Sequence, residues 1–91
     1  MQAIIQEFEC IDSEISLSVF LQKNGFRMAD SRSHSDQFVL GAFIGKLGGG
    51  QAKVTHRLFD ESAATPGAGK NQLILELDGT IIAEVRFHGA Y

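Results

Sequence analysis

The chain predicts an α+β domain: one helix packed on a mostly antiparallel sheet of about five strands, in the order β-α-β-β-β-β. Three observations carry that expectation. The segment Ser13 to Asn24 repeats its apolar residues at three- and four-residue steps. Two later stretches, Ala52 to Phe59 and Leu73 to Phe87, alternate apolar and polar side chains. Glycine-bearing turns separate the strand-like runs.

Ala3 to Phe8 reads as the first strand, with Ala3, Ile5 or Ile4, and Phe8 apolar about Gln6 and Glu7. Ser13 to Asn24 reads as the helix. Asp12 or Ser13 can cap its first N–H groups, and Glu14 suits the positive end of the helix dipole. Ile15, Leu17, Val19, Phe20 and Leu21 form its apolar face. Asn24-Gly25 ends it, because glycine adopts the left-handed conformation without a Cβ clash. Arg27 to Asp36 is polar, rich in serine and without period, which predicts a surface loop.

Gln37 to Ile44 is apolar on both parities. Such a run fits a central strand or a short buried helix. Gly41 and Gly45 disfavour a helix, so a strand is expected. In Ala52 to Phe59, Ala52, Val54, His56 and Leu58 face one way and Lys53, Thr55 and Arg57 the other. That is a half-buried strand, joined to the preceding one by a turn of Gly48, Gly49 and Gly50.

The last hairpin sets Leu73, Leu75 and Leu77 against Ile81, Ala83, Val85 and Phe87 across Asp78-Gly79. A regular two-residue turn would pair Leu73 with Glu84 and bring a carboxylate among leucines. A three-residue loop, Leu77-Asp78-Gly79, pairs Leu75 with Ile81 and Leu73 with Ala83, and keeps the apolar side chains on one face. The three-residue loop is therefore expected. Lys53, Thr55, Arg57, Glu76, Glu84, Arg86 and His88 then line the opposite face, which is wet or bound to something.

The 91 residues fit one domain, 1–91, and the 44% hydrophobic fraction supplies a core. The net charge of −3, from 8 basic and 11 acidic residues, argues against a duplex nucleic-acid reader, whose affinity rests on a basic surplus. One cysteine, Cys10, allows no internal disulfide and fits a reducing compartment. Met1 to Cys10 lacks a basic start and a long apolar run, so no leader is expected. The longest apolar stretch, Phe38 to Ile44, is far short of the ~20 residues of a membrane helix. These features lead to the expectation of a cytoplasmic protein, or of a mature chain lacking its leader.

Ala64 to Asn71 reads A-T-P-G-A-G-K-N and resembles a phosphate-binding P-loop, with Asn71 where that motif has its magnesium-binding hydroxyl. The P-loop runs into a helix, whereas Gln72 to Leu77 is strand-like, so a surface loop is expected. Gly45 to Lys53 reads G-K-L-G-G-G-Q-A-K. Its consecutive N–H groups could cradle an anion between two lysines, but a hairpin turn is the simpler reading. Gln37 to Gly41 reads Q-F-V-L-G and resembles the Q-x-V-x-G signature of cystatin-type cysteine-protease inhibitors. In that family the motif forms an exposed hairpin tip, and here it opens an apolar run. No family is assigned on it.

His34, His56 and His88 have no second ligand at zinc spacing, so no metal is expected; His56 reads as a hydrogen-bonded core histidine. Ser33, His34, Ser35 and Asp36 hold catalytic residue types, but neighbours within a loop rarely face one another productively. No catalytic residue and no cofactor is assigned. The function expected is a protein-interaction module: an inhibitor, an immunity or anti-defence factor, or an assembly adaptor. Its partner would meet Arg57, Glu84 and Arg86 on the sheet, or Phe26, Met28 and Arg32 about the loop; homodimerisation through an edge strand fits the same fold. A second reading is an oligomeric binder of a phosphate-bearing ligand, using Lys46, Gly48, Gly49, Gly50, Lys53 and Lys70. A third is an enzyme whose site forms across a dimer.

Overall fold

The structure is a computed structural model and describes residues 2–12, 16–29, 39–58 and 70–88. Two helices, α1 (Gln2–Glu9) and α2 (Leu17–Lys23), precede five strands: β1 (Arg27–Met28), β2 (Val39–Leu47), β3 (Gly50–Leu58), β4 (Lys70–Leu77) and β5 (Thr80–His88). The strands form one antiparallel sheet in chain order. The α+β class and the sheet of five strands agree with expectation; the order of elements and the single helix do not.

The segment expected as a first strand is helix α1. Ile4, Ile5, Phe8 and Ile11 recur at helical spacing and turn one face inward, and Phe8 and Ile11 are buried. Gln2, Gln6 and Glu9 stay exposed. The last turn tightens as the Cys10 and Ile11 amides donate to Glu7 and Phe8 carbonyls.

Helix α2 is capped by Ser16, not by Asp12 or Ser13. The Ser16 hydroxyl accepts from the Ser18 amide at 3.1 Å. Residues 13–15, Glu14 and Ile15 among them, lie outside the described residues. Leu17, Phe20 and Leu21 are buried, whereas Val19 points to solvent, 57% exposed. It sits about 100° around the helix from Phe20, off the apolar stripe. The stop at Asn24-Gly25 is as expected. Gly25 has φ +73°, the Phe26 amide donates back to Leu21 and the Gly25 amide to Gln22. These two bonds make a Schellman turn, which delivers Phe26 onto Phe20 with ring centroids 6.0 Å apart.

Two residues of the expected loop form strand β1 instead, paired through Arg27–Ile44 and Met28–Phe43 and extended by the Ala29 amide donating to Ala42. The rest of that loop, with Arg32, Ser33, His34, Ser35 and Asp36, lies outside the described residues. Strand β2 is a strand as expected. Val39 and Gly41 of the Q-x-V-x-G run pair with Arg57 and His56 inside the sheet, not at a hairpin tip. Gly48 and Gly49, both at positive φ, make the turn into β3, and Gly50 is already its first residue.

The last hairpin corrects the expected loop. Its turn is the two residues Asp78 and Gly79, at φ +50° and +84°, and Leu77 pairs with Thr80. The parity problem is solved further along the strand. Glu76 pairs with Ile81 but Leu75 with Ala83, so Ile82 is an extra, bulged residue. Beyond it Leu73 faces Val85 and Asn71 faces Phe87. The apolar side chains do share a face, but Ile81 is turned out, 57% exposed.

Both helices cover one face of the sheet. Phe8, Ile11, Leu17, Phe20 and Leu21 pack against Leu47, Ala52, Val54, Leu73, Leu75, Ala83 and Phe87. Phe8 meets Phe20 edge-on, with centroids 5.5 Å apart. Lys23 reaches Glu7 at 3.3 Å and ties the two helices at the surface. No helix among the described residues is long and apolar enough to cross a membrane.

Candidate functional site

Side chains directly opposite in an antiparallel ladder share a face. The register therefore maps the face that the helices leave uncovered. One row runs Arg27, Ile44, Lys53, Glu76, Ile81; the next Ala42, Thr55, Ile74, Glu84; the next Val39, Arg57, Gln72, Arg86; and Lys70 lies opposite His88 beyond them. Lys46, two residues from Ile44, joins the same face opposite Gln51. Among the described residues no element lies over this surface.

The face is strongly biased in charge. Of the 8 lysines and arginines, Arg27, Lys46, Lys53, Arg57, Lys70 and Arg86 stand on it. Glu76 and Glu84 are its carboxylates. The helical layer holds Glu7, Glu9 and Asp12 against one cation, Lys23. Among the described residues the sheet face is thus basic and the helical layer acidic. Aliphatic groups lie among the cations: Ile44 and Ile74 are half-buried and Ile81 is exposed. The aromatic rings of the strands, Phe43 and Phe87, belong to the inner face.

A polar cluster fixes one end of the face. Gln72, buried, donates from Nε2 to Glu84 Oε1 at 2.7 Å, and Arg86 Nε donates to the same oxygen at 2.8 Å. The Gln72 amide above all, with the Arg86 guanidinium, holds the Glu84 carboxyl below the usual glutamate range, against a smaller opposite push from burial. On the inner face, buried His56 and Asn71 are joined from Nε2 to Oδ1 at 3.0 Å, as expected of a core histidine.

The expected partner residues divide between these surfaces. Arg57, Glu84 and Arg86 come together about Gln72. Phe26 does not join them; its ring lies on Gly45 and Phe20 on the helical side. Met28 is 74% exposed on edge strand β1. Arg32 is outside the described residues. Of the expected phosphate ligands, Lys46 and Lys53 border two adjoining open clefts of about 360 and 500 Å³ that share Ile44 and Gln51. Gly48 and Gly49 are the turn beside them, and Gly50 packs against Leu77 and Asp78. Lys70 is six residues from Glu76 along β4, about 20 Å away, and opens a strand with Asn71, so the P-loop-like run leads into sheet. Its residues 64–69 are outside the described residues. Among the described residues no group of three His, Cys, Asp or Glu gathers into a metal-binding set.

Sequence reasoning missed Arg27, Ile44, Ile74 and Ile81 as members of the face. Ile44 sits in a run apolar on both parities, and Ile81 changes face because of the bulge. Arg27 enters only through its pairing with β2. Ile74 alone was legible, as the residue between Leu73 and Leu75. No family model matches the chain, and neither does any curated protein or solved structure.

Proposed function

We propose that the chain is a protein-binding module whose outer sheet face receives an acidic surface of a protein partner. The observation that carries this reading is the gathering of six cations, with Ile44, Ile74 and Ile81 between them, on the face that no described element covers. The cations suit a negatively charged partner, and exposed Ile81 with half-buried Ile44 and Ile74 gives it apolar contact to bury. Single-stranded nucleic acid is the other anionic partner a sheet face can take. That mode relies on aromatic rings on which bases stack, and the strand aromatics here face the core.

The test is photo-crosslinking from the sheet face in the cells that make the protein. A crosslinker at position 53 or 74 should capture one acidic protein, and one at position 22 on α2 should not. Lys53→Glu or Arg57→Glu should weaken that complex by about tenfold or more, because like charges then oppose across the interface. Capture from position 22 and not from the sheet would refute the reading, as would binding indifferent to both reversals.

A further inference from the structure

We infer that β5 is a self-association edge, on which a second copy of this chain pairs antiparallel about a twofold axis at Val85, joining the two sheets into one. Strand β5 spans nine residues and, among the described residues, has a strand partner only in β4. An edge of that length presents N–H and C=O groups at alternate residues, and natural edges are commonly blunted with lysine or proline. Strand β5 contains neither. Its bulge lies near the start, and from Ala83 to His88 the ladder is regular.

The charge pattern selects the register. Directly paired residues must share a face, so the axis passes through a residue and not between two. An axis at Glu84 sets that carboxylate against its own copy, and an axis at Arg86 sets two guanidinium groups together. An axis at Val85 places Glu84 opposite the partner's Arg86, and by symmetry Arg86 opposite the partner's Glu84. On the inner face it sets Val85 against itself and the small Ala83 against the large ring of the partner's Phe87. Glu84 is prepared for this. Gln72 and Arg86 of its own chain bond to Oε1, and Oε2 receives no hydrogen bond from the described residues. Helix α1 packs principally against β5, so the join would border its half-buried Ile4 and Ile5.

The experiment is sedimentation of the wild-type chain across the micromolar range, with folding checked by circular dichroism. The expected species is a dimer of twice 9.9 kDa. Glu84→Arg and Arg86→Glu should each raise its Kd by about tenfold or more, since symmetry applies each change twice. The double exchange Glu84→Arg with Arg86→Glu should restore it. In the wild type, hydrogen exchange at alternate β5 amides should slow as concentration rises. A monomer throughout, a dimer indifferent to the single reversals, an unrestored double exchange, or exchange independent of concentration would each overturn the proposal. Lys53→Glu separates this from acidic-partner binding: it should weaken that complex and leave the dimer intact.

Discussion

Deletion of Ile82 tests the placement of the bulge. Ile82 is the one residue of β5 without a direct partner between Ile81–Glu76 and Ala83–Leu75. Removing it leaves a regular two-residue hairpin in which Leu75 still faces Ala83, Leu73 still faces Val85 and Asn71 still faces Phe87. The cost is then the half-buried side chain packed against the core. Full burial of an isoleucine is worth about 1.5–3 kcal/mol, so the half-buried side chain accounts for about 0.8–1.5 kcal/mol. Relief of the irregular ladder offsets part of that. For a chain of this size the fall in melting temperature should be roughly 4–8 °C per kcal/mol. Deletion of Val85 is the control. With the bulge kept, Arg86 moves opposite Leu73; with the bulge erased, Glu84 does. Either register buries a charge on the core face, at a cost of about 3 kcal/mol or more, which threatens the whole fold. The assays are urea denaturation and backbone NMR contacts across β4 and β5. An Ile82 deletion that unfolds the protein, or that places Glu84 beside Leu73, would refute the bulge as the device that sets parity.

Three further perturbations probe the supports of the two faces. Asp78 accepts from the Gln51 amide at 2.9 Å and donates its own amide to the Gln51 carbonyl at 2.8 Å, while sitting at φ +50°. Asp78→Ala should cost about 1–3 kcal/mol in chemical denaturation, from the lost acceptor and a left-handed alanine, and Asp78→Asn should be close to neutral; equal stability of the two refutes the lock. Gly45→Ala places a Cβ 2.9 Å from Phe26 Cγ, and overpacking there should destabilise by about 1–3 kcal/mol. Wild-type stability in the variant would show that Phe26 does not rest on Gly45. Because the folded Glu84 carboxyl is held below its ordinary range, its stabilisation exists above the unfolded glutamate pKa and is lost as pH falls through the folded value. The effect is modest at an exposed group. Gln72→Leu should move the Glu84 titration up toward the ordinary range in an NMR pH series; an unmoved titration would assign the shift elsewhere.

Strand β3 was legible because period-two alternation and a glycine turn agree, whereas β2, apolar on both parities, was read as a strand only because Gly41 and Gly45 disfavour a helix. Helix α1 was not, because a window of six residues holds too little period to separate Ile5–Phe8 from an alternating strand. Ile11 completes the helical spacing only when the window is extended. Strand β1 has no signal of its own. Its two exposed residues pair because β2 offers an edge, a tertiary cause that no local pattern carries. In the last hairpin the parity argument was sound and the location of the extra residue was not. Asp-Gly fills a two-residue turn so well, with both residues at positive φ, that the irregularity moved into the strand.

Much of the polar face was legible for the same reason as the strands: alternation alone assigns Lys53, Arg57, Glu76, Glu84 and Arg86 to one side. Its charge bias was not, since that depends on which cations of different strands become neighbours. Arg57 and Arg86 flank one glutamine in the same row, on the two strands either side of β4. The chain has more carboxylates than cations to distribute, and interleaving them on this face would have stabilised the sheet. Glu7, Glu9 and Asp12 stand instead in the helical layer. The same alternation bears on the edge: the outward residues of β5 that close the basic face are also the ones whose signs, read about Val85, complement their own copy. A dimer so formed would double the face that we assign to an acidic partner without bringing its two arrays of cations into direct opposition.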